Sequence, residues 1–189
     1  MNSTTRLLVV AVAFLVSLFA LSIMSFAAPE DLKHQFVGAS KCKLCHSAEK
    51  VGAQYAKWHD SKHAKAFEML GTPEAKAVGA KVGVPDPQGS EKCIKCHVTA
   101  YNIPAAELGE KYDKTEGVTC ESCHGAGGDY WKKQTMQDIR DKKIDGATVG
   151  LSKPDEAKCK TCHNPESPSY KEFKYDEYHK KIEHLIPKP

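Results

Sequence analysis

Several chemistries are excluded by what this 189-residue sequence does not contain. It has no Gly-rich nucleotide-binding loop, no Ser-His-Asp set, and no cysteine outside one repeated motif, so neither phosphoryl transfer, acyl transfer nor free-thiol chemistry is indicated. Basic residues are interspersed with Glu and Asp rather than gathered into runs, which leaves a nucleic-acid partner without support. Past the N-terminal region no apolar run is long enough to span a bilayer. The overall apolar content of 41% also flatters the chain, because the first 27 residues hold much of it.

Those residues, Met1 to Ala27, read as a secretory signal. Arg6 supplies the positive start, Leu7 to Leu21 is an apolar run broken only by Ser17, and Ser25-Phe26-Ala27 is a small-residue cleavage site. An uncleaved anchor is the alternative. Either way residues 28–189 are expected outside the cytoplasm, in the periplasm or beyond it, as one domain. Without the signal, 26 basic residues face 24 acidic ones, a formal charge of +2.

What the chain does contain is one motif four times over: Cys42-Lys43-Leu44-Cys45-His46, Cys93-Ile94-Lys95-Cys96-His97, Cys120-Glu121-Ser122-Cys123-His124 and Cys159-Lys160-Thr161-Cys162-His163. All eight cysteines sit in these copies. Cys-x-x-Cys-His is the spacing of c-type haem attachment: two sulfurs one helical turn apart reach the porphyrin vinyls, and the histidine ligates the iron. Four-cysteine zinc sites or short disulfides would use the same pairs but require no histidine after each. By chance, four such histidines would arise on the order of once in 10⁵ chains. The cofactors implied are four covalently bound haem c groups. They leave about 40 residues of exported chain per haem, too few to close a conventional core. The expected fold is mainly α, short helices and loops wrapped around four stacked haems, with the chain largely unfolded in their absence.

Bis-histidine ligation would need distal ligands as well. His63, among small neighbours in Ser61-Lys62-His63-Ala64-Lys65-Ala66, is the strongest candidate, and His34 is another in an extended lead-in from Pro29 to Ser40. His59, His179 and His184 remain open, as does Met136, a type of residue that more often packs than ligates. A helical pattern runs from Cys42 to Leu70, and Thr72-Pro73 opens another helix ending near Lys81. Gly83 to Ser90 is a loop, and a short strand pair near Tyr101 is one option for Val98 to Gly117. Gly125-Ala126-Gly127-Gly128 would let backbone pass flat against a porphyrin. Polar helices are expected over Asp129–Lys143 and Tyr175–Leu185, the latter stopped by Pro187, with Pro154 starting the helix of the fourth motif.

In these motifs the chain resembles the cytochrome c-554 family, tetrahaem carriers that take electrons from hydroxylamine oxidoreductase. The resemblance rests on Lys41 to His46 followed by Trp58 and Ser61 to Ala66. It also rests on Cys93 to Val98, Gly117 to Gly125, and the fourth motif trailed by Phe173-Lys174-Tyr175-Asp176-Glu177. It implies a mostly helical fold around stacked haem pairs, the histidine matching His63 serving the fourth motif's haem and His184 the third's. It also implies a second haem without a strong sixth ligand. The family's distal histidine after the third motif is missing here: Gly125 to Met136 contains none, Gln134 stands near the place, and His34, His59, His179, Met136 or a neighbouring subunit's histidine would have to substitute.

The function expected is electron carriage between redox partner proteins, one of them a membrane-associated quinol oxidase or reductase, rather than catalysis. Two alternatives accompany it: reduction of a small molecule such as nitric oxide at a five-coordinate haem, and self-association into an extracellular filament sharing a haem ligand.

Overall fold

The structure, a computed structural model, describes residues 34–184. The signal and its cleavage site, and the stop at Pro187, lie outside the described residues. Among the described residues nine short helices carry the fold: α1 Ala39–His46, α2 Gln54–His59, α3 Ala66–Met69, α4 Pro73–Lys81, α5 Glu91–His97, α6 Cys120–His124, α7 Lys133–Arg140, α8 Glu156–Lys160 and α9 Tyr175–Ile182. Single 3₁₀ turns punctuate the connections. Among the described residues no helix is long and apolar enough to cross a membrane.

Local chemistry accounts for several boundaries. Thr72 Oγ1 accepts the Ala75 amide at 3.2 Å and Pro73 occupies the first helical position, so α4 starts where the sequence places it and ends at Lys81. Asp155 caps α8 by accepting from Lys158 N at 2.8 Å. The helical pattern from Cys42 to Leu70 is broken into three helices, and the break before α2 falls at Ala53, whose left-handed φ of 47° no continuous helix can contain. The expected helix over Asp129–Lys143 is shorter at both ends, Tyr130 and Trp131 being spent on a turn whose amides bond to Gly127 O. Near Tyr101, Ala100 and Asn102 both have positive φ (56° and 62°), which rules out paired strands there. An isolated bridge between Phe36 and Leu108 is the β-type pairing seen among the described residues.

Few apolar side chains are buried, among them Val37, Trp58, Leu70, Val84, Val98 and Tyr130. Trp58 is fixed by its indole N–H to Val118 O at 2.8 Å. Polar hubs do much of the joining. Glu121, inside the third motif and 2% exposed, receives the amides of Val37, Gly38 and Gly127. Thr99 Oγ1 donates to Gly117 O and accepts from Thr119 N at 2.6 Å.

The glycine run after the third motif admits close approach of neighbouring polypeptide. A Cβ at Gly125 would collide with the Gly150 carbonyl, one at Gly127 would lie 3.0 Å from Val37 Cγ2, and one at Gly128 2.8 Å from Gln35 N. These glycines admit neighbouring polypeptide. The Gly128 amide then bonds to Gln35 O at 2.8 Å, stitching the lead-in to the third motif.

Candidate haem sites

α1, α5 and α6 each carry a complete Cys-x-x-Cys-His, whereas the fourth motif starts in α8 and leaves Cys162 and His163 beyond its end. Sulfurs from different motifs meet: Cys42 hydrogen-bonds Cys120, Cys96 hydrogen-bonds Cys162, and Cys123 and Cys159 feel each other's charge. Attachment points therefore adjoin in the order first, third, fourth, second. Among the described residues no group of three or more His, Cys, Asp or Glu side chains is gathered closely enough to ligate one ion.

The histidines pair as well. His63 faces His163 with ring centroids 6.0 Å apart, and His124 faces His184 at 5.7 Å. Metal–imidazole bonds of about 2 Å on each side, with ring centroids about 1 Å further out, put two axial imidazoles at about 6 Å across one iron. These residues thus fit a metal held between them. Burial lowers the pKa of His63, His163, His124 and His184, and charge from His163 adds to the effect at His63. All four are held in the neutral form that offers a lone pair to a metal.

Ring orientation is set behind the ligating atom. His97 Nδ1 lies 2.7 Å from Ala66 O, His124 Nδ1 3.2 Å from Ser152 O, and His46 Nδ1 3.3 Å from Gln54 Oε1. Each acceptor favours a proton on Nδ1 and leaves Nε2 for iron. Phe173 stacks on His163 at 4.7 Å and 16°. Ala66, Ser152 and Phe173 carry no ligand signature of their own, and only their proximity in the fold reveals these supporting roles.

The other candidates are placed differently. His34, at a φ of 69°, directs a buried Nδ1 to within 2.8 Å of Asp129 Oδ2, off the line of a good hydrogen bond, and its ring leans on Gly150. Among the described residues no second imidazole makes a ring contact with His46 or His97, although the charge of His46 reaches His124 and His184. His59 is exposed beside Asp60 and stacks on Tyr55 at 5.8 Å. His179 pairs with Glu183 at 3.5 Å, and Gln134 donates to Asp138 within α7, where Met136 is half-buried.

Residues 41–125 match the family described as cytochrome c554 and c-prime. A cytochrome c-554 of Nitrosomonas europaea is 33% identical over 140 residues, covering 68% of this chain. The chain belongs to the cytochrome c-554 family. Membership makes it a c-type cytochrome whose cysteines carry covalently bound haem, and it accords with the mainly helical fold. The aligned stretch spans 57% of that relative's length. No solved structure matches the chain.

Proposed function

We propose that this c-554 family member is an exported tetrahaem electron carrier that relays single electrons between a donor protein and an acceptor, one of them a membrane-associated quinol oxidase or reductase. The observation that carries the reading is the adjacency of attachment cysteines from all four motifs, Cys42 with Cys120, Cys123 with Cys159, and Cys162 with Cys96. Haem, when bound, supplies an iron that exchanges one electron with little rearrangement. The chain's own contribution is to hold the attachment points close enough for relay and to close irons against substrate. His63 with His163, and His124 with His184, would hold the irons of the fourth and third sites between them. His34 is assigned to the iron of His46: its buried Nδ1 lies beside Asp129 without a hydrogen-bond partner, and Gln35 accepts the Gly128 amide just past the third motif, beside the Cys42–Cys120 contact.

The second site supports one other reading. His97 is fixed by Ala66 O, yet among the described residues no second imidazole faces it. An iron open on that side suits binding and reduction of a small molecule such as nitric oxide. Pyridine haemochrome analysis with protein mass, followed by EPR of purified protein with and without nitric oxide, tests both. Four haems per chain, three of them low-spin, with binding but no turnover of nitric oxide, fit a carrier; steady turnover favours the enzyme. A colourless protein defeats both.

A further inference from the structure

Three successive amides leading into α1 are held by two carboxylates. Glu121 accepts from Val37 N at 2.8 Å and Gly38 N at 2.9 Å, and Glu116 accepts from Ala39 N at 2.9 Å. Glu121 lies inside the third motif and Ala39 begins the helix of the first, so the pair stands where those two sites meet, and its charge is felt at both Cys42 and Cys120. Glu116 in turn feels the charge of Glu121. Among the described residues neither carboxylate has a Lys, Arg or His partner. The nearby lysines are engaged elsewhere: Lys41 Nζ stands 4.4 Å from the Trp131 ring, Lys114 Nζ 6.0 Å from that of Phe67, and Lys111 pairs with Glu110 at 3.6 Å. Beyond Gly127, Asp129 is occupied by His34.

What faces the pair is acidic or neutral. Asp113 adds negative charge beside Glu116, its own carboxylate accepting from the Thr115 amide and hydroxyl at 2.8 and 2.7 Å. The phenols of Tyr112 and Tyr130 feel Glu121 but donate to main-chain carbonyls, of Thr99 and of Gly125, and that of Tyr55 feels Glu116. Cys42 and Cys120 carry no charge once bound as thioethers. Burial raises the pKa of both carboxyls, and two like charges withdrawn from water without a cation favour sharing a proton. Glu121 is 2% exposed, while the half-buried Glu116 opens the pair to solvent. Reducing a nearby iron removes one positive charge, which raises the pair's affinity for a proton; the proton raises the iron's potential by the same free energy. We propose that Glu116 and Glu121 form a proton-coupling site, which takes up a proton from solvent when the iron of the first or third motif is reduced and releases it on reoxidation. The electron comes from the redox partner and turns ferric iron ferrous; the proton forms one O–H bond on a carboxylate, and no other bond changes. The inference rests on the carrier reading and adds a proton to the electron carried.

Redox titration of the holoprotein by EPR between pH 5 and 9, with reduced-minus-oxidised infrared difference spectra, tests it. In the wild type one low-spin potential should fall as pH rises, by up to about 59 mV per unit where one proton follows one electron. Reduction should also add the C=O stretch of a protonated carboxyl. Glu116→Gln and Glu121→Gln each remove the neighbour's charge, so the remaining carboxyl binds its proton less tightly and the sloping region should move about one unit towards acid in both. The double variant should show neither slope nor band. A slope kept in the double variant assigns the proton to the haem propionates and overturns the site. Wild-type potentials that do not vary with pH overturn it too, as does an unmoved slope in both single variants, which decides even if the double variant loses haem. Each of these leaves four haems and the carrier reading standing, whereas a wild type without haem would defeat that reading itself.

Discussion

The Glu121 carboxylate accepts the backbone amide of Val37 at 2.8 Å, across 84 positions of chain. The same side chain receives Gly127 N at 2.7 Å and Gly38 N at 2.9 Å, so one residue inside the third motif holds the lead-in to the first. Its pKa is raised, because burial outweighs the three amides that favour the anion. A carboxylate raised in the folded state contributes stability in full below its unfolded pKa and loses it as pH rises through the folded value. Glu121→Gln should therefore flatten a decline in stability that the wild type shows above the ordinary carboxylate range. It should also cost about 1–3 kcal/mol at acid pH, since its amide NH₂ confronts one of the three donors. Glu121→Ala, leaving all three amides unmatched, should cost more. Denaturant unfolding of the holoprotein across pH 4 to 8 measures both effects; parallel wild-type and Gln curves would refute the linkage.

Two left-handed glycines form a second joint. Gly125 and Gly150 have φ of 81° and 82°, and a Cβ on either meets its neighbour, the Gly150 carbonyl in one case and the His34 ring at 2.8 Å in the other. The left-handed conformation alone costs a non-glycine residue about 1–2 kcal/mol. Gly125→Ala adds a clash with backbone, which cannot rotate away, whereas Gly150→Ala meets a side chain that can. Gly125→Ala should thus lower the unfolding midpoint further than Gly150→Ala, and calorimetry of the two variants decides; the reverse order would mean that the His34 ring is held more rigidly than the main chain.

Legibility followed the range of the physics. The Cys-x-x-Cys-His copies, the Thr72-Pro73 helix start and the mainly helical class depend on residues within a turn of each other, so they stand open in the sequence. His63 stands out by its small neighbours and His184 through the family resemblance, and the structure sets them 6.0 Å from His163 and 5.7 Å from His124. The Glu121 hub could not be read, because its partners lie 84 and 83 residues away and a glutamate within a motif looks solvated. The glycine run is legible only in part for the same reason: its composition announces close approach without naming the polypeptide that the structure sets against it. Phe173 against His163 is a tertiary contact between residues with no shared pattern.

The two facing imidazole pairs should behave as separable units. His63→Ala should turn one haem in four high-spin with the haem count intact, and His184→Ala should do the same to a different haem. The double variant should show two high-spin irons, since the two pairs share no residue. EPR with haemochrome quantification reads all three. A His63→Ala spectrum identical to wild type would remove that histidine from the iron, and a double variant no different from either single would mean that both serve one site.

His34 and Asp129 pose the sharpest question of magnitude. Their atoms lie 2.8 Å apart with each side chain more than a third exposed, and an ion pair so situated contributes about 0–1 kcal/mol. Were that its whole purpose, His34→Ala would lower stability slightly and leave every iron as it was. Ligation of the first iron predicts something different in kind: one additional high-spin haem, and a shift in the potential of one centre. Asp129→Asn then separates the two roles of the carboxylate. It keeps an oxygen opposite Nδ1 but removes a negative charge close to the iron that His34 would hold. Loss of a nearby negative charge favours ferric iron less, so one potential should rise while the spin state is retained. Redox titration monitored by EPR on both variants provides the measurement. An unaltered spectrum in His34→Ala would return this histidine to the surface, as a partner for Asp129 and nothing more.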